Sequence, residues 1–586
     1  MYVLGISCYY HDSAAALIKD GEVVAASQEE RFTRKKHDTS FPINSIKYCL
    51  ESQNIEINQI DHVAFYEKPI LKFERILSQC IEGFPYSYKQ FIKALPSWLT
   101  EKLRIPKTLK KKLKYKGDVM FVEHHLSHAA SAFLPSPFEK AAIVSIDGVG
   151  EWTTTAHGVG HNNSIQLHKK IDFPHSLGLL YSTITAYLGF SVNNSEYKVM
   201  GLSPYGTMDR NENRYYKKML QIIKINDDGS FSLDMDFFSY HKMEKMPSIK
   251  MCKLLGGPIR KGNDALNRRH KDIAAALQMI YEDALFNLLN YVQKETKEEN
   301  LVLAGGCALN SVANGKILSK TKFKNLWIPP DPGDGGNSIG AAAYAYSSIL
   351  KKGNIKQLDD PFLGPSFSNE EIKDFLDSNK INYEYISNSE ELIERTAQLI
   401  YKDNVIGWFQ KGMEWGPRAL GGRSILSNPC NPKMQEILNS KVKHREMFRP
   451  FAPVVCDDDA DKYFDIDKPL PLPTDFMLMV YPIKESFRDK IPAVTHVDGS
   501  GRLQTIRRKQ NELYYDLIKK FGELSGVPIL INTSFNIRGE PIVCTPEDAY
   551  RCMMGTGIDK LVLGNYLITR IDNPNDIWDC EALAKD

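Results

Sequence analysis

The chain has 586 residues, 42% hydrophobic and 25% charged, and its 74 basic and 72 acidic side chains leave a net charge of +2. That length requires more than one core, and the near-neutral balance argues against a protein-wide field for nucleic acid or a membrane surface. No apolar run reaches the ~18 residues of a spanning helix, no signal-type N-terminus is present, and the ten cysteines include no Cys-x-x-Cys pair, so a cytoplasmic chain with reduced thiols is expected.

Val3–Ser7, Ser13–Ile18 and Val23–Ala26 read as strands, the last two joined by Asp20-Gly21, a strong hairpin signal. Helical patterns follow at 43–52 and 86–95. The run Lys102–Lys116 holds eight Lys/Arg with Leu103, Leu109 and Leu113 interleaved. It reads as a solvated amphipathic helix, with an RNA-binding face as the rival. Next come His124 and His128, four apart and so on one face of a helix. Ala141–Ile146, Asp147-Gly148, Trp152–Gly158, Asn162-Asn163 and Ile165–Ile171 repeat the opening meander, which predicts an internal duplication.

A long amphipathic helix is expected over 272–296. Leu301–Ala304 is a strand running into Gly305-Gly306, with a helix near Ser311, an arrangement that offers backbone N–H groups to a phosphate. Leu326–Ile328 leads to Asp334 in a glycine-rich loop before a helix from Ser338, where open α/β sheets bind ligands. A plain helix cap is the simpler role for Asp334. Gly and Pro break the polar stretch 351–366, which separates a domain of residues 1–355 from one of 361–586.

Two constellations carry chemistry. His124, His128, Asp147 and Asp334 offer two imidazoles and two carboxylates, a set suited to Fe(II), Zn(II) or Mn(II). A zinc peptidase would need a glutamate where His125 stands, so that reading lacks its base. Beyond residue 361 the signals suit an anion. Arg418 and Arg423 flank Gly421-Gly422, and Lys443, Arg445 and Arg449 follow. An extended backbone would put 443 and 445 on one face. The strand Val527–Ile531 ends at Asn532-Thr533-Ser534-Phe535-Asn536, so Ser534 and Asn536 can face a nucleotide, and guanidinium forks match phosphate oxygens.

Gly5-Ile6-Ser7, His11-Asp12-Ser13, Glu29-Glu30-Arg31-Phe32, His124–His128 and Glu196-Tyr197-Lys198 resemble the nodulation-factor, cephamycin and tobramycin carbamoyltransferase family. So do Gly305-Gly306-Cys307-Ala308-Leu309-Asn310, Asp334-Gly335-Gly336, Gly416-Pro417-Arg418, Arg445-Glu446-x-Phe448-Arg449-Pro450 and Asn532–Asn536. The resemblance implies a mixed α/β chain. Its N-terminal domain would be a duplicated actin/heat-shock-type, ribonuclease-H-like domain, and its C-terminal α+β domain similar to the threonylcarbamoyladenylate synthase. In the latter, Lys443-x-Arg445 and Ser534-x-Asn536 would match that synthase's motifs.

It further implies that carbamoyl phosphate and ATP with Mg give carbamoyladenylate, pyrophosphate and phosphate, with Arg418, Arg423, Lys443, Arg445 and Arg449 neutralising charge. Arg418 and Arg449 are the expected catalytic residues there. The carbamoyl group then passes to a hydroxyl of a small natural product at the metal, Fe(II) first with Zn or Mn as alternatives. His11 and Asp12 are candidates for substrate contact or general base, and Gly305, Gly306 and Asn310 for holding nucleotide. A homodimer fits the resemblance. A tRNA-modifying threonylcarbamoyl-type transferase is the rival, and the acceptor is open.

Overall fold

The computed structural model describes residues 1–242, 246–262, 264–466 and 469–573. They form two compact units. Met1–Val24 and Thr39–Gln357 make the first, and Ala25–Asp38 with the described residues from Leu358 make the second.

The first unit is built on two five-stranded sheets of one topology. In the first sheet, β1 (Tyr2–Ser7), β2 (Ala14–Lys19), β3 (Glu22–Gln28), β4 (His62–Phe65) and β5 (Val119–Phe121) run in the order β3-β2-β1-β4-β5. β2 is antiparallel to β1, while β4 and β5 continue parallel. In the second, β6 (Lys140–Ile146), β7 (Thr153–His161), β8 (Ser164–Asp172), β9 (Asn300–Ala304) and β10 (Asn325–Trp327) run β10-β9-β6-β7-β8. Strand directions match as well: β7 is antiparallel to β6, and β9 and β10 are parallel. The duplication expected from the two meanders is therefore a repeat of fold. Asp20 and Gly21 both take positive φ, 48° and 84°, the combination whose twist suits a two-residue hairpin. β1 is buried from Val3 to Ser7, as a central strand covered on both faces should be.

The repeats differ in what joins their last two strands. Residues 305–324 suffice between β9 and β10, whereas residues 66–118 between β4 and β5 build α1 (Pro69–Glu82), α2 (Tyr88–Thr100) and α3 (Ile105–Leu113). The basic run is the turn Lys102–Arg104 followed by α3, which is held inward by Ile105 and Leu109. Packed beside the sheets are α4 (His124–Phe133), the long α5 (Arg268–Thr296) and α6 (Asn337–Tyr344). Gly340 lets α6 lie against the Ser127 carbonyl of α4, where any Cβ would collide. That close approach brings the loop before α6 up to the α4 histidines.

The second unit carries nine strands: β11 (Glu384–Tyr385), β12 (Ile406–Phe409), β13 (Arg423–Ser427), β14 (Ala452–Cys456), β15 (Met479–Pro482), β16 (Ser500–Ile506), β17 (Ile529–Ser534), β18 (Lys560–Leu563) and β19 (Tyr566–Thr569). Their order is β11-β19-β18-β12-β13-β17-β14-β16-β15. α7 (Ser389–Tyr401) and α8 (Glu512–Ser525) cover it, and Trp408, Tyr514, Phe521 and Leu530 lie in their shared core. The chain is thus mixed α/β. Among the described residues no helix is long and apolar enough to cross a membrane.

Candidate active site

α4 opens at His124, whose backbone N–H donates to the Glu151 carboxylate at 3.0 Å. One turn on, His128 presents its Nε2 to that of His124 at 3.1 Å. Asp147 directly follows β6 and puts Oδ2 at 3.3 Å from His124 Nε2. Asp334 puts Oδ1 at 3.6 Å from His124 Nε2 and 3.4 Å from His128 Nε2. All four residues are buried, and their donor atoms lie within 4.8 Å of one another. Asp334 is no helix cap. The N-cap of α6 is Gly336, and neither Asp334 oxygen has a hydrogen-bond partner.

Buried carboxylate oxygens without donors are costly unless a cation completes them. Burial alone would depress the His124 imidazole, but Asp334 and Asp147 outweigh it and lift it to about 9. His11, with Nε2 at 3.8 Å from Asp334 Oδ2, is likewise opposed by burial and raised by Asp334 and Asp12 to about 10. The two carboxylates thus favour positive charge on both imidazoles, as they would favour a divalent ion. The donor set fits such a metal.

The neighbouring expectations are placed as follows. Gly306 donates its N–H to Asp147 Oδ1 at 2.8 Å, fixing that carboxylate. Gly305, at φ 89°, sits against the Ile146 carbonyl where a Cβ would collide. Asn310 exchanges hydrogen bonds with Gln278 and accepts from Ala313 N–H. The Gly306 N–H and the Asn310 amide are therefore engaged within the protein. His125 joins Ser145 Oγ and the Thr153 carbonyl, at 2.9 and 2.8 Å, so it ties α4 to the sheet. His11 Nδ1 is held by Asp12 Oδ2 at 2.8 Å, leaving Nε2 toward the quartet. Gly305→Ala is expected to cost about 1–3 kcal/mol in backbone strain and to lower the metal bound per protein by elemental analysis.

In the second unit the C-terminal cations separate into two groups. Lys443 is not in an extended segment, as the shared-face argument required. A π-helical turn, Leu438–Val442, delivers it. Its Nζ donates to the backbone carbonyl of Ser534, and to the carbonyl and Oδ1 of Asn536 at 2.9 and 2.8 Å. Burial holds this ammonium well below its usual pKa, and Arg445, Arg449 and Lys36 add to the effect. Arg445 donates to Asn439 Oδ1 at 2.7 Å and stacks on Phe451 at 4.5 Å. Arg449 lies 3.6 Å from Glu446. Arg418 is half-buried in the loop between β12 and β13.

Arg423 corrects its expectation. It is fully buried, and its guanidinium donates to the carbonyls of Gln410, Lys411, Gly422 and Pro365 above the Phe409 ring. Such an arginine holds the loop. The Glu414 carboxylate does the complementary work, accepting the N–H groups of Leu420, Gly422 and Arg423 at 2.7–2.9 Å. Arg423→Met is expected to destabilise by about 3 kcal/mol or more, since it strips buried carbonyls of a charged donor. Chemical denaturation would register that loss.

Sequence reasoning gave no role to residues 25–38, which belong to this unit. Arg31 donates to the Gly416 carbonyl at 2.8 Å, beside Arg418 in sequence. Arg34 donates to the carbonyls of Ile542 and Pro541 at 2.7 and 2.8 Å. The Glu-Glu-Arg-Phe motif was the available signal.

Residues 2–343 match the carbamoyltransferase N-terminus family and residues 397–570 the carbamoyltransferase C-terminus family. The chain belongs to the carbamoyltransferase family. The enzyme is 36% identical to the nodulation protein NolNO of Sinorhizobium fredii, over 98% of this chain and 81% of that protein. An uncharacterised protein of Synechocystis sp. is 46% identical, with 98% and 97% of the two chains covered. One from Methanocaldococcus jannaschii is 31% identical over 97% of this chain and 99% of its own length.

Proposed function

We propose that the enzyme converts carbamoyl phosphate, ATP and water into carbamoyladenylate, pyrophosphate and phosphate in its second unit. The carbamoyl group then passes to a hydroxyl of a small molecule in the first unit, of actin/heat-shock type, with release of AMP. The observation that carries this reading is the gathering of Arg445, Arg449 and Lys36 about the buried Lys443 amine, whose own hydrogen-bond partners are all uncharged oxygens. Burying like charges together is costly without an anion to meet them.

In the first stage water cleaves carbamoyl phosphate to carbamate and phosphate, and a carbamate oxygen then attacks the α-phosphorus of ATP as the bond to the β-phosphate breaks. Lys443, Arg445, Arg418 and Arg449 offset the charge that builds on the phosphates. In the second, the acceptor oxygen attacks the carbamoyl carbon as its bond to AMP breaks. The hydroxyl proton goes to the Asp12 carboxylate, which holds His11 Nδ1, while the protonated His11 contacts the substrate. A divalent cation held by His124, His128, Asp147 and Asp334, with Fe(II) first and Zn or Mn as alternatives, supplies Lewis acidity at that centre when bound. Gly306 keeps Asp147 in position throughout.

The test is direct. Purified enzyme given carbamoyl phosphate, ATP and Mg is expected to release pyrophosphate, and none with or without acceptors would end this reading. Lys443 adds a pH signature. Its folded pKa is depressed, so the empty pocket favours the neutral amine, while a bound anion favours the ammonium. Anion binding then takes up a proton, and affinity falls as pH rises between the depressed value and the usual value near ~10.4. Calorimetry with ATP in two buffers of different ionisation heat is expected to show that uptake, and Lys443→Met to lose it.

A further inference from the structure

The helical insertion between β4 and β5 has no counterpart in the second repeat and takes no part in the chemistry above. Residues 69–118 hold twelve basic and four acidic side chains, so the insertion carries +8 in a chain of net +2, leaving the rest at −6. At the turn between α1 and α2, Ile81, Phe84, Tyr86 and Tyr88 are 68%, 67%, 68% and 54% exposed. The Phe84 and Tyr88 rings meet edge-on at 6.5 Å, making one apolar tip. On α2, Ile92 continues the stripe from Tyr88 one turn on, also exposed. Lys89 and Lys93 run beside it on the next stripe and are likewise exposed. The inner face is separately filled, since Phe73 packs on Phe91 and Trp98.

We propose that this tip docks on an anionic lipid surface, with the aromatic and aliphatic residues entering the headgroup boundary and the lysines meeting lipid charge. An apolar face with flanking cations is the pattern of interfacial helices. A second copy of the chain fits poorly, because a twofold contact at the tip would set the exposed Lys89 and Lys93 against their own copies. RNA would use the cations but leave the large exposed aliphatic side chains unused.

The experiment is flotation of the full-length enzyme with phosphatidylcholine vesicles, with and without about one-third phosphatidylglycerol. Binding is expected only with the anionic lipid, and to weaken as salt rises. The variants Phe84→Ser with Tyr86→Ser, and Lys89→Glu with Lys93→Glu, are each expected to weaken binding by at least about tenfold. Pyrophosphate release should be unchanged in both, which verifies folding. Three results would overturn the proposal: no flotation with anionic vesicles, a shift of labelled tRNA at low salt without flotation, or a concentration-dependent dimer abolished by the tip variant without flotation.

Discussion

His128→Ala is expected to reduce carbamoyl transfer on the order of 10³-fold, the several kcal/mol that a Lewis-acid centre supplies, while pyrophosphate release continues. The basis is geometric. His128 is buried with Nε2 turned to His124 and Asp334. The variant should hold less metal, and chelation of the wild type should reproduce its phenotype. Asp334→Asn is expected to act in the same direction, since the carboxylate is buried against His11, His124 and His128. Coupled assays that follow pyrophosphate and carbamoylated product separately decide the matter. Should His128→Ala stop pyrophosphate release as well, the two stages are not divided as proposed.

Lys443→Ala is expected to have the complementary effect, a loss on the order of 10²–10³ in pyrophosphate release, with transfer failing for want of the adenylate. Added carbamoyladenylate should restore transfer in this variant and not in His128→Ala. Arg449→Ala should lose both products for the same reason. The rival is that Lys443 only holds the β17 end, since it donates to the Ser534 and Asn536 carbonyls. A variant that unfolds earlier yet releases pyrophosphate at the wild-type rate would establish that rival.

Much of the candidate site was legible because its signals are local. A four-residue spacing puts His124 and His128 on one helical face, and Asp147 and Asp334 each follow a strand, where loops gather. What the sequence could not convey was the company each cation keeps. Arg418 and Arg423 read alike as charges beside glycines, yet Arg423 is spent on four backbone carbonyls. The same loop wraps the Glu414 carboxylate, which accepts the N–H groups of Leu420, Gly422 and Arg423. The alternation argument for Lys443 and Arg445 assumed a strand, and the backbone there winds through a π turn. Asn310 looked available for a ligand until Gln278, distant in sequence, was found opposite it. Residues 25–38 carry no composition break, so nothing local marks their membership of the second unit.

The duplicated architecture has a consequence for how the enzyme matures. The histidines stand after the last strand of the first repeat, Asp147 after the first strand of the second, and Asp334 after its last. During synthesis, then, a chain that has completed one repeat holds two imidazoles and no carboxylate to join them. The fourth donor emerges only with the residues that close the second sheet. An ion held by this quartet would therefore be fully ligated only once Asp334 has been made, and its binding energy would fall on the whole first unit. On that reading, withholding the ion would leave the first unit more open to proteolysis in proportion to the stability forgone.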